Sequence, residues 1–179
     1  FWNEKAGREW VHLQERMDAN LSGAHAAIMA FAAAQGGEHV LDIGCGWGSF
    51  ARFAAEHYGV TVTGVTISRE QASLAAEHCT GLPVEIRLED YRQTRGRFDR
   101  IASLGMFEHV GKAYYGEFFS KVEELLVPGG VGVLHTIGKH AEGDTDPWIA
   151  KYIFPGGYLP TLGQIGSVMS HTQLVLNDV

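Results

Sequence analysis

A doubly wound α/β fold on a mainly parallel sheet is predicted by three features of this 179-residue chain. Apolar runs alternate with amphipathic segments about five times, the rhythm of strand and helix units in a parallel sheet. The first run, Val40, Leu41 and Ile43, suits a strand buried on both faces. It leads into Gly44, Gly46 and Gly48 at alternate positions, and a helical pattern starts near Trp47.

Glu4 to Ala19 is predicted helical, with Trp10, Leu13 and Met17 on one stripe. A second helix is expected from Ser22 to Ala34, stopped by Gln35-Gly36-Gly37. Strand one takes Glu38 to Ile43. The helix Trp47 to Tyr58 is expected to turn Phe50, Phe53, Ala54 and His57 to the sheet. Val60 to Val65 is strand two. Ser68 caps a helix to His78, with Gln71 at the capping-box position. Pro83 to Leu88 is strand three, closed by Asp90-Tyr91. Phe98 to Leu104 is strand four, followed by a helix from Lys112 to Leu126. Pro128-Gly129-Gly130 reads as a turn before strand five, Val131 to Ile137. Gly138 to Thr145 reads as a loop, and a short helix starts near Pro147. After the turn Phe154-Pro155-Gly156-Gly157, a helix is expected over Leu162 to Met169 and a final strand over Gln173 to Val179. The expected organisation is one domain, with a helical lid at residues 1–36 on a core at 37–179.

Composition narrows the function classes. Hydrophobic content of 45% and charged content of 20% are ordinary for a globular domain. A net charge of −7 disfavours nucleic-acid binding, which needs Lys and Arg against phosphate. It gives no electrostatic help on an anionic membrane. No apolar run approaches the ~20 residues that span a bilayer, and no leader peptide is expected. Cys45 and Cys79 imply no disulfide framework, which points to the cytoplasm. The nine histidines show no H-x-x-H or H-E-x-x-H spacing, so no metal is expected.

The turn after strand one carries the chemistry. Glycines there let the backbone approach a ligand, and the helix start behind them presents free N–H groups. The spacing is Asp42-x-Gly44-x-Gly46-x-Gly48, with Cys45 and Trp47 between. It is not the G-x-G-x-x-G of dinucleotide sites. It resembles motif I of the class I S-adenosylmethionine-dependent methyltransferases, in which the acidic residue organises the loop and the cofactor amino group. Acidic residues that take the ribose commonly end strand two; here Thr66 stands, followed by Ile67 and Ser68, and Gln71 offers a carbonyl oxygen. Helix capping is the alternative role for Thr66 and Gln71. Asp90 can accept from an adenine amino group and Tyr91 can lie on the ring; a turn Asp beside a half-buried Tyr is the alternative. Leu104 and Gly105, ending strand four, complete the candidate cofactor set.

Several longer stretches resemble one family. VLDIGCGWGSFARFAAEHYGVTVTGVTISREQ, DYRQTRGRFDRIASLGMFEHVG, LLVPGG, LHTIG and DPWIAKYIFPGGYLP are similar to the cyclopropane-fatty-acyl-phospholipid synthases and mycolic-acid methyltransferases. The resemblance covers Val40 to Pro160. It implies a Rossmann-like class I methyltransferase fold and transfer of the S-adenosylmethionine methyl to a cis double bond of a lipid acyl chain. A bicarbonate ion then takes a methyl proton as the ring closes. Its ligands, carried over, are Glu108, His135 and the backbone of Ile137. Phe107 would offer an aromatic face to the cation. Read without the family, Glu108 is a helix-start carboxylate and His135 a buried, satisfied histidine. The implied partner is a lipid or small-molecule substrate, met by peripheral contact with the inner membrane face. An exposed apolar rim near Tyr152 to Leu159 would favour a lipid. Two departures stand out. The family has a Tyr-Ser-Cys-Ala-Tyr segment ahead of motif I, whereas FWNEKAGREWVHLQERMDAN is similar to the leading helix of ubiquinone-biosynthesis-type methyltransferases. The family pattern also continues past Val179 with a bicarbonate-binding Tyr and a last strand, so a sheet without its last strand is expected. A methyltransferase for a soluble small molecule, or a cofactor-binding domain without full activity, are the alternatives.

Overall fold

The computed structural model describes residues 23–30, 32–152 and 156–179. The predicted helix Glu4 to Ala19 lies outside them, as does most of the expected lid. Residues 23–30 are helical.

Five strands form one sheet: β1 (His39–Ile43), β2 (Thr61–Thr66), β3 (Val84–Leu88), β4 (Phe98–Leu104) and β5 (Leu126–His135). The order is β3-β2-β1-β4-β5, and each neighbouring pair is parallel. The chain winds outward from β1 to β3, then returns to add β4 on the other side of β1. Strand order reverses between β1 and β4, so the crevice beyond their carboxyl ends is where such a sheet holds a ligand.

Three helices follow strands: α1 (Ser49–Tyr58), α2 (Arg69–His78) and α3 (Tyr115–Leu125). Because successive side chains of β1 point to opposite faces, its apolar run feeds two cores. Leu41 and Ile43 join Val65, Ile101, Phe118 and Leu125 on the α3 side. Val40 joins Val62, Ala102, Phe50, Ala51 and Ala54 on the α1 side, where Ile28 and Met29 also pack. Each fully buried aliphatic such as Leu41 contributes about 1.5–3 kcal/mol. Two short helices complete the chain, α4 (Pro147–Tyr152) and α5 (Leu162–Met169). Thr161 and Gln164 form a reciprocal capping box at α5.

Four local expectations are corrected. His57 is exposed and stacks on Phe53 at 4.4 Å, so Ala51 and Ala55 take its place against the sheet. Pro128-Gly129-Gly130 is not a turn before β5 but an irregularity within it. Phe98 pairs with Leu126, and Arg100 with Val131, so the extra residues bulge. β5 ends at His135, before Ile137. Gln173 to Val179 forms no strand, and side-chain oxygens take its first two amides. Glu123 accepts from Gln173 N and Thr172 from Leu174 N.

Gly48 shows what ties the first turn to the second helix. It caps α1 with φ 84°, and a Cβ there would lie 2.9 Å from the Ala75 Cβ and 3.1 Å from its Cα. Gly48→Ala is expected to lose about 2–3 kcal/mol, from left-handed strain and displacement of α2. Urea unfolding measures it; an unchanged midpoint would mean that α2 does not abut the turn.

Candidate active site

The turn after β1 is pinned from below. Gly44 N and Cys45 N both donate to Val65 O at 3.0 Å, and Gly48 N donates to Cys45 O at 2.9 Å. Cys45 and Trp47 are buried at 7% and 8% exposure, so they support the turn from within. Burial pushes the Cys45 thiol far up, leaving it unreactive. Gly46 differs. A Cβ there would meet nothing nearer than Gly44 O at 4.0 Å, so its outer side is open space. Above Gly44 sits Met106, whose Cβ would be 2.6 Å from an added Cβ. Asp42 is 1% exposed, and its Oδ2 has no hydrogen-bond partner among the described residues. Desolvation raises its carboxyl to about 7.

The end of β2 lies beside this turn. Ser68 caps α2 as expected, accepting from Gln71 N at 3.3 Å. The reciprocal half of the capping box is not made, because the Gln71 side chain accepts from Thr66 Oγ1 at 2.8 Å. The carbonyl oxygen expected to meet a ribose is therefore held by Thr66. Ile67 projects at 78% exposure and forms an apolar flank.

Asp90 is placed differently from expectation. Its carboxylate binds Arg92 Nε at 2.9 and 3.1 Å and caps the 3₁₀ turn Tyr91–Gln93 through Arg92 N. Hydrogen bonding to Arg92 holds this carboxyl below its usual range. The pair leaves the Asp90 side chain 26% exposed. Tyr91 meets Phe118 edge-on at 5.6 Å, and burial raises its phenol to about 12.

The third wall comes from β4 and β5. Leu104 pairs with His135, and Gly105 N donates to His135 O at 3.0 Å. The 3₁₀ turn Phe107–His109 follows. Glu108 in it is fully buried, and its Oε1 accepts from Ile137 N at 2.7 Å. β5 leaves the ladder at His135, opposite the last residue of β4, Leu104, and the Ile137 amide turns to Glu108 instead. Glu108 Oε2 and Thr136 Oγ1 are buried without a partner among the described residues. Phe107 is fully buried and stacks on Tyr115 at 4.3 Å, so its ring serves the core and not a ligand. The His135 side chain is exposed, contrary to the buried alternative.

The structure thus gathers Asp42, the glycine turn, Thr66, Ser68, Gln71, Leu104, Gly105, Glu108 and Ile137 along the carboxyl edge of β2, β1, β4 and β5. Three participants escaped the sequence reading. Met106 covers Gly44. Tyr158 N donates to Glu108 O at 2.9 Å, and Lys139 N donates to Pro160 O at 2.9 Å. Met106 lay inside the GMFEH block, but nothing local says which side chain touches the glycine turn. A surface cleft beside α3 shares no residue with this edge; of its bases, Arg92 pairs with Asp90, Lys121 with Glu124, and Arg95 donates to the backbone carbonyls of Arg92, Gln93 and Thr94. Among the described residues no helix is long and apolar enough to cross a membrane.

Residues 13–179 match the family model of mycolic acid cyclopropane synthetase. The chain is 52% identical over 143 residues to the cyclopropane-fatty-acyl-phospholipid synthase of Escherichia coli, covering 79% of this chain and 37% of that protein. Among solved structures, the cyclopropane synthase MmaA2 of Mycobacterium tuberculosis superposes with a TM-score of 0.80 at 31% identity, over 87% of this chain and 61% of that one. The mycolic acid cyclopropane synthase CmaA1, solved with SAH and CTAB, gives 0.78 at 31% identity, with the same coverage.

Proposed function

This chain belongs to the mycolic acid cyclopropane synthetase family, and on that premise we propose that it is the core of an S-adenosylmethionine-dependent methyltransferase acting on unsaturated lipid acyl chains. The observation that carries the reading is the meeting of an open glycine turn with a buried, half-partnered carboxylate at one sheet edge.

The residues fit the cofactor. Gly46 leaves room for a ligand against the backbone, and the orphaned Asp42 Oδ2 is an acceptor awaiting a donor or cation. Gly44, Gly46 and Gly48, with the backbone of Cys45 and Trp47, would hold the amino-acid end. Thr66, Ile67, Ser68 and Gln71 would border the nucleoside, with Leu104 and Gly105 opposite. Tyr91 would reach it from its edge-on seat, and Asp90 would reach it while paired with Arg92. S-adenosylmethionine supplies an electrophilic methyl group. An alkene is a weak nucleophile, so alignment and exclusion of water are what this edge must provide. Cyclopropanation releases one proton, and the unpartnered Glu108 Oε2 would take it. Bicarbonate, which the resemblance implies, would meet the unpartnered Glu108 Oε2 and Thr136 Oγ1, while the Ile137 amide is given to Glu108. No step is assigned to it.

The substrate reading is tested with methyl-labelled S-adenosylmethionine and vesicles of a cis-monounsaturated phospholipid. Lipid should gain label and the mass of one CH₂ unit. Label on a soluble acceptor, with no gain in lipid, would overturn it. Gly46→Ala should cost only about 1–2 kcal/mol in stability, the strain of a side chain at φ 54°. It should weaken cofactor binding by about a hundredfold, or about 2.7 kcal/mol. Unchanged affinity by calorimetry would remove the cofactor from this turn.

A further inference from the structure

Asp42 sits between Gly64 of β2 and Ala102 of β4, on the sheet face covered by α1. The groups around it are neutral or already paired. Gly64 has no side chain, and Ala102 is apolar. Cys45 of the turn and Cys79 after α2 are thiols that burial keeps protonated. On α1, Arg52 pairs with Glu56 at 2.9 Å. On β4, Arg100 lies two residues back on the same face and pairs with Glu38 at 2.9 Å. His25, from residues 23–30, turns its ring to Phe50 and Phe53. None of these supplies Asp42 with a counter-charge. An ionised carboxylate with an unpartnered buried oxygen is costly, and a proton removes that cost. Desolvation acts in the same direction, raising the group to about 7.

We propose that Asp42 is a proton-linked counter-charge: it carries a proton in the free protein and releases it to solvent when a cationic ligand occupies the turn. The inference rests on the reading of this turn as the S-adenosylmethionine site. The balance is simple. A neutral carboxyl and a ligand cation become a carboxylate paired with that cation, plus one proton in solution. Affinity should then rise about tenfold per pH unit below pH 7 and level off above it. A nucleoside without a cationic group should show no such slope.

The test is isothermal calorimetry on the whole protein, without acceptor, from pH 5 to 8, in two buffers of different ionisation enthalpy. S-adenosylmethionine carries sulfonium and ammonium cations; 5′-methylthioadenosine carries neither. The expected result is release of close to one proton per S-adenosylmethionine at pH 6, and none for methylthioadenosine. Asp42→Asn should flatten the pH profile and abolish the release. Should that variant not fold, the two ligands on the unmodified protein still decide. Binding of S-adenosylmethionine without proton release, or an equal slope in Asp42→Asn, overturns the proposal and leaves the site assignment standing. Absence of binding at every pH overturns both.

Discussion

Glu108→Gln is expected to lower turnover on unsaturated lipid by about 10²–10³-fold, the scale of a lost proton acceptor. Cofactor affinity should stay within about threefold, because among the described residues no hydrogen bond joins Glu108 to the glycine turn and an isostere keeps the local shape. The isosteric amide keeps an oxygen for Ile137 N, so the exit of β5 should hold its shape. What is lost is basicity at Oε2. Glu108→Ala is a harsher change, since it also strips the Ile137 amide of its acceptor, worth about 1–3 kcal/mol for a buried donor. Calorimetry for the cofactor and lipid mass spectrometry for turnover separate the two roles. A parallel fall in affinity and turnover with Gln would move Glu108 into the cofactor site and end its assignment as acceptor.

Asp42→Asn should make the free protein more stable at pH 8 while weakening its hold on the cofactor. The sign follows from linkage. The folded carboxyl titrates at about 7 against an ordinary 3.8. The folded state therefore binds the extra proton between those values, and stability falls as pH rises through that window. The contribution is fully present below pH 3.8 and gone above about 7. Its size is about 4 kcal/mol at full ionisation. Asn cannot ionise, so the variant should match the parent near pH 4 and exceed it by most of that amount at pH 8. Urea midpoints across this range are the measurement. Equal pH dependence in both proteins would mean that Asp42 is ionised and compensated in the free fold. Such a cost at one position is what a site for a cation exacts from the empty protein.

Much of the framework was legible because its causes are local. The Val40, Leu41, Ile43 run and the Ser68 cap depend on neighbours within a few residues. The three glycines also announced themselves. Their separate duties did not: Gly48 meets Ala75, Gly44 meets Met106, and Gly46 meets open space. Asp90 was read for its position after β3, yet Arg92, two residues on, captures its carboxylate. The tail misled for a related reason. Alternating Leu174 and Leu176 look like strand residues, but a strand needs an edge to pair with, and here the segment's first two amides go to Glu123 and Thr172.

The sequence by itself determined the strand and helix order, the glycine turn after β1 and the family of the chain, since each is written in contiguous residues. Only the tertiary structure decided that Glu108 reaches Ile137, 29 positions away, and that Asp42 is sealed from water without a cation. Both depend on β4 returning beside β1, which brings distant residues together and sets the solvation on which their acidity rests.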